Sequence, residues 1–110
     1  MVTRTWRGVT RAEDADAYLA YMQRTGLTAL RQTEGNLAAA CLRRDVEDRA
    51  EFVVVSLWSS RASIRAFAGT DIDRAVFYPE DDRFLVDRDL HVTHYDVVFA
   101  EGVAAFPATA

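Results

Sequence analysis

Residues 51–60 read EFVVVSLWSS, and this stretch decides the fold. Phe52, Val53, Val54, Val55, Leu57 and Trp58 are β-branched, aromatic or aliphatic, and Ser56 is the one polar break. Such side chains suit a pleated surface better than a helix. The run is nearly continuous rather than alternating, so both faces of the strand are expected to be covered. Val53, Val55 and Leu57 form one row, and Phe52, Val54, Ser56 and Trp58 the other. The aliphatic row suits packing under helices. The mixed row suits a cavity wall or a subunit interface. Ser59 or Ser60 then supplies an N-cap for a following helix.

Working outward, the flanks supply partners for this strand. Residues 2–9 (VTRTWRGV) predict a first strand with Arg4, Trp6 and Gly8 on one face. Residues 12–26 predict an amphipathic helix through Ala15, Tyr18, Leu19 and Met22, with Glu13, Asp14 and Asp16 at its dipole-favoured start. Gly26 is expected to end that helix in a left-handed cap. Gly35-Asn36 is a turn signal, and residues 36–46 predict a strand of small residues, joined to the central strand by a charged hairpin at 45–49. Three alanines there mark a place where something bulky approaches closely. After Trp58, Ile64, Phe67 and Ala68 form a second helical stripe that Gly69 ends. Asp71 is expected to cap a further short helix up to Pro79, followed by an exposed acidic loop, PEDDR. Residues 91–99 predict the last strand, with Tyr95, Val97 and Phe99 toward the helices and His94 and Asp96 on the opposite face.

The order β-α-β-β-α-β is that of an α+β, ferredoxin-like fold, an antiparallel sheet with its helices on one face. Trp6, Phe52, Val54, Trp58 and Val98 then lie on the face without helices, too apolar for water. A homodimer packed sheet to sheet, with room for a ligand, accommodates them.

Composition narrows the function. The 110 residues make one domain (residues 1–99) with a small-residue tail at 100–110. The net charge is −4 with both signs scattered, which argues against nucleic-acid or anionic-membrane partners. No apolar run reaches the length of a membrane span, and the expected compartment is the cytoplasm. One cysteine, Cys41, reads as a small buried hydrophobe. One cysteine and two histidines, His91 and His94, fall on no metal-binding spacing, so no metal and no cofactor is expected.

WRG at 6–8, EFVVVSLWSS, IRAFAG at 64–69, DIDRAVFYPEDDRFL at 71–85 and VTHYDVV at 92–98 together resemble the antibiotic-biosynthesis-monooxygenase-like proteins of the dimeric α+β barrel superfamily. The resemblance runs from about Arg4 to about Phe99. It implies a homodimer with a cavity between the sheet and the helical segments of each subunit. It also implies one of two chemistries. Some members are cofactor-independent monooxygenases that oxidise an anthrone- or hydroquinone-like substrate, and others degrade haem. The haem degraders use an Asn on the first strand, a Trp on the third and a His in the second helical region. Trp58 matches the Trp, Trp6 takes the place of the Asn, and no histidine stands between Gly35 and Leu90. The quinone-forming members line their site with Asn, Trp, Tyr and Arg; Trp58 matches, and Asn36, Tyr78 and Arg4 are chemically suitable.

For such an oxygenase the protein must deprotonate the substrate and keep water out. His94 is the candidate base, with Asp96 two residues on sharing its face. Trp6, Trp58, Phe77 and Tyr78 would wall an aromatic ligand, and the Trp58 N–H or Tyr78 O–H would meet a developing oxyanion. His94 and Asp96 can equally bond across a dimer interface. The alternative function is a non-catalytic dimeric protein that binds a small hydrophobic or aromatic molecule.

Overall fold

A computed structural model of the chain describes residues 1–102, so most of the tail expected at 100–110 lies outside the described residues. Five strands form one antiparallel sheet: β1 (Val2–Arg11), β2 (Asn36–Val46), β3 (Arg49–Trp58), β4 (Leu85–Arg88) and β5 (Thr93–Asp96). The helices are α1 (Ala15–Arg24), α2 (Gly26–Gln32), α3 (Arg61–Ala68) and the single turn α4 (Asp81–Phe84). The sheet order is β2-β3-β1-β4, the ferredoxin-like α+β arrangement expected from the sequence. β1 pairs with β3 along its whole length. Its other edge is shared: β5 covers Val2–Thr5 and β4 covers Gly8–Thr10. The last strand, expected at residues 91–99, is shortened to β5, and residues 85–88 add a further strand, β4, with residues 89–92 looping out between the two. No helix among the described residues is long and apolar enough to cross a membrane.

The helix layer covers the face opposite to the one expected. Phe52 and Trp58 are completely buried, and Tyr18, Tyr21 and Met22 of α1 pack on Phe52 together with Phe84. The Tyr18 ring stands edge-on to Phe52 at 5.4 Å and lies 5.5 Å from Phe84. At the other end Trp58 packs with Val2, Leu30 of α2 and Ile64 of α3. Val53, Val55 and Leu57 instead occupy the free face, beside exposed Leu42 and Tyr95, the latter 59% exposed. The physical reason is size. Aromatic side chains bury far more area than valine and fill the deep, uneven space beneath helices, whereas a level aliphatic row leaves a flat surface. A dimer through Trp6, Phe52 and Trp58 is therefore overturned, since the subunit's own helices already cover that face. Tyr95 and Phe99 likewise point away from the helix layer, and His94 points under it.

Three local expectations also change. Residues 71–78 form no helix. The Asp71 carboxylate accepts from the backbone N–H of Asp73 at 3.2 Å, a side-chain turn that competes with helix initiation. The segment then runs extended, paired with residues 90–92 through Ala75 N–H to Leu90 O and Val92 N–H to Asp73 O. The acidic stretch after Pro79 folds inward as α4 because Phe84 belongs to the aromatic cluster, and Asp81 is carried in with it. Gly26 opens α2 rather than ending α1; a Cβ there would sit 3.2 Å from the Tyr78 ring. Ser60 caps α3, its Oγ accepting from Ser63 N–H at 3.2 Å.

Because Phe52 joins α1, α4 and the sheet, Phe52→Ala is expected to cost about 3–5 kcal/mol of unfolding free energy. Urea denaturation measures this, and a loss below about 1 kcal/mol would contradict the packing described.

Candidate functional site

The alternation of β1 sends Val2, Arg4, Trp6 and Gly8 under the helices. Between these residues, α1, α2 and the segment 76–81 lies a half-open cavity of about 70 Å³. A single water needs ~10–15 Å³ by the same measure, so the space exceeds one water several-fold. Met22, Leu27, Leu30, Val54 and Phe67 make it apolar, and Trp6 and Tyr78 add flat walls. The Trp6 ring lies so close over the backbone that a Cβ on Gly8 would fall 2.3 Å from its Cη2 atom. Its indole N–H donates to Asp89 O at 2.9 Å, which fixes the ring.

Six polar side chains interrupt the apolar wall: Arg4, Ser56, Tyr18 and Thr25, and the neighbours Tyr78 and Asp81. Arg4 is only 5% exposed. Its guanidinium donates to the carbonyls of Ile72 and Arg74, the second at 3.0 Å, and lies 5.7 Å from the centre of the Phe67 ring. Nη1 also lies 3.4 Å from His94 Nε2. Among the described residues no carboxylate is in ion-pair contact with it. Burial pulls its pKa down to about 10, with Asp73 opposing the shift from a distance. A buried cation held by neutral groups is costly and favours a site where an anion will sit. Asp81 is also 5% exposed. Its Oδ2 accepts from Tyr78 N–H at 2.6 Å, and burial raises its carboxyl above the ordinary value. Burial also pushes the neighbouring Tyr18 hydroxyl far up, so it stays protonated.

The sequence-expected site residues divide into three groups. Arg4, Trp6 and Tyr78 line the cavity. Trp58, Phe77 and His94 stand directly behind its wall. Trp58 spends its indole N–H on Ser56 Oγ at 2.8 Å, and Ser56 in turn donates to Arg4 O at 3.4 Å. Phe77 packs edge-on against Trp6 at 6.3 Å. His94 Nδ1 meets Asp73 Oδ1 at 3.1 Å, which assigns the proton to Nδ1 and leaves Nε2 to accept from Arg4. Asn36 and Asp96 lie elsewhere: Asn36 Oδ1 accepts from Arg31 at 2.7 Å at the sheet end, and Asp96 pairs with Arg61 at 2.7 Å in solvent. Asp81 was missed because an acidic loop reads as solvated. The available signal was its spacing, three and four residues before Phe84 and Leu85, which puts all three on one helical face. Cys41 lies on the covered face opposite Val54, and burial pushes its thiol up to about 11, which leaves it a poor nucleophile.

Burial and the facing Arg4 charge lower the His94 pKa below its ordinary 6.5, and Asp73 only partly compensates. The unfolded chain therefore takes up this proton before the folded chain does. Stability is expected to fall as the pH drops below about 6.5 and to level off beneath the folded pKa. Thermal unfolding of wild type and His94→Gln between pH 7.5 and 5 tests this, and parallel curves for the two would refute it.

The family model described as antibiotic biosynthesis monooxygenase matches residues 1–76. Among solved structures, a provisionally assigned antibiotic biosynthesis monooxygenase from Bacillus cereus aligns with a TM-score of 0.64 at 14% identity, over 94% of this chain and 96% of that one. HapK from Hahella chejuensis aligns with a TM-score of 0.64 at 13% identity, over 96% and 100% of the two chains. The heme-degrader MhuD from Mycobacterium tuberculosis, solved with two hemes in its active site, aligns with a TM-score of 0.58 at 18% identity, over 93% and 100%. These are likenesses of fold. No curated protein matches the chain in sequence. The match over residues 1–76, with the sheet order and helix layer described above, places the chain in the antibiotic biosynthesis monooxygenase family.

Proposed function

We propose that the protein is a cofactor-independent monooxygenase acting on a small aromatic, anthrone- or hydroquinone-like substrate. One observation carries this reading: a buried guanidinium without a carboxylate partner, set in the wall of an apolar cavity flanked by Trp6 and Tyr78. An anthrone-like methylene flanked by aromatic rings ionises to a carbanion whose charge spreads onto the ring oxygen. Arg4 stabilises that oxygen, and the apolar walls keep the ion from bulk water. In the net reaction, CH2 + O2 → C=O + H2O, the carbon loses four electrons and dioxygen accepts them. One oxygen atom enters the product and the other leaves as water.

His94 acts here through Arg4, as its neutral support, and Trp58 through Ser56. Neither histidine is on the cavity wall to offer an axial ligand to haem. A lone, half-buried Cys41 whose thiol is pushed up to about 11 suits a reducing cytoplasm.

The same reading includes a homodimer, now through the free sheet face. Val53, Val55 and Leu57 lie there beside exposed Leu42 and Tyr95, an apolar surface that a second copy would cover.

Oxygen uptake with a panel of anthrones and hydroquinones, with no cofactor added, tests the activity. Wild type is expected to exceed the uncatalysed rate and Arg4→Gln to lose about 10²–10³-fold in kcat. Absence of uptake with saturable quenching of tryptophan fluorescence by the same compounds would instead establish a binding protein. For assembly, wild type is expected to sediment as a dimer and Val55→Asp as a monomer; a wild-type monomer at tens of micromolar would refute the interface.

A further inference from the structure

The oxygenase reading leaves the first chemical step, loss of the substrate proton, without a base in the cavity, because His94 stands behind Arg4. Asp81 is on the wall itself. Its neighbours Glu80 and Asp82 are in solvent, whereas Asp81 is turned inward by Phe84 and by its bond from Tyr78 N–H. The cation that acts on it electrostatically, Arg88 of β4, has its hydrogen bond elsewhere. It donates to Asp82 at 2.6 Å and lies 4.9 Å from the centre of the Phe77 ring. The same wall carries the Tyr18 and Tyr78 rings and the apolar side chains of Met22, Leu27 and Val54.

We propose that Asp81 is the general base of this cavity, removing an acidic proton from a ring-activated carbon of the substrate while Arg4 receives the charge on the substrate's oxygen. This rests on the oxygenase reading of the same site. In the step, the C–H bond breaks, the proton passes to an Asp81 carboxylate oxygen, and the electron pair stays on the substrate as an enolate. No electron leaves the substrate, so the step is reversible and runs without dioxygen. Two wall groups of opposite charge then select a ligand that has an acidic proton and an oxygen able to hold its charge.

A buried carboxylate is a stronger base than an exposed one, and an upward shift brings a carboxyl closer to the pH at which it must act. Burial is the largest influence on Asp81 and Asp82 of α4 adds to it. The Tyr78 N–H, Arg88 of β4 and the Tyr18 hydroxyl of α1 oppose it. Tyr21 of α1 and the hydroxyl of Tyr78 are further titratable neighbours; the Tyr21 hydroxyl oxygen accepts from Glu80 N–H at 3.0 Å. The base must be ionised to act, so the rate is expected to fall as the pH is lowered through its pKa. That acid limb is expected above the ordinary aspartate value.

Anaerobic exchange of the methylene protons of anthrone in D2O, followed by NMR, reads this step alone. Wild type is expected to exceed the buffer rate, Asp81→Asn to lose about 10²–10⁴-fold of the excess, and Asp81→Glu to restore part of it. Asparagine keeps an oxygen for Tyr78 N–H, so a purely structural role of Asp81 would leave exchange near wild type in Asp81→Asn and overturn the proposal. Wild-type exchange no faster than buffer would overturn it too. Should Asp81→Asn not fold, judged by near-ultraviolet circular dichroism, the wild-type pH profile decides: an acid limb above the aspartate range supports the base, and a flat profile refutes it. Exchange without oxygen uptake would retain Asp81 as base and sink the monooxygenase. Oxygen uptake undiminished in Asp81→Asn would do the reverse.

Discussion

The structure depends on the burial of one mixed row of side chains, Phe52, Val54, Ser56 and Trp58, beneath the helices. Phe52 and Trp58 each anchor a separate cluster, one with Tyr18, Tyr21 and Phe84, the other with Leu30 and Ile64. Between the two clusters the smaller Val54 and Ser56 leave a gap, and the cavity occupies it. A row of four large side chains would have closed this space; a row of four valines would have held no helix layer in place. The site is thus a consequence of how the core is built, with two large anchors separated by two small residues.

Into this gap β1 delivers Arg4 and Trp6. A guanidinium in so dry a place needs its N–H groups satisfied, and the extended segment 71–78 supplies two carbonyls for it. That explains why the segment is not a helix: in a helix those carbonyls would be occupied within the chain. His94 completes the support from β5, held in turn by Asp73 of the same segment. First strand, irregular segment and last strand are therefore tied together by one buried cation, and the chemistry proposed for the cavity uses the charge that ties them.

The resemblance and the patterning agreed on fold because strands and helices announce themselves locally. Valine-rich runs, helical stripes, Ser60 and Gly69 act within a few residues of themselves. The site was legible in part for the same reason. Arg4, Trp6 and Tyr78 are large and chemically distinct, and all three line the cavity. Trp58 was equally conspicuous, yet its N–H is spent on Ser56, a pairing two residues away along the strand that alternation alone does not weigh. Asp81 was inconspicuous among Glu80 and Asp82, since composition describes a stretch and burial separates its members.

By itself the sequence determined the ferredoxin-like order of the main elements, the division of each strand into two rows, and the Ser60 cap of α3. A period of two defines two faces but carries no label for which one is covered. That choice was made by tertiary packing, where Tyr18 and Phe84, 66 positions apart in the chain, meet on Phe52. The same packing decided which of many arginines and aspartates would lose their water. Desolvation depends on everything that surrounds a group in space, and most of what surrounds Arg4 and Asp81 is distant in sequence.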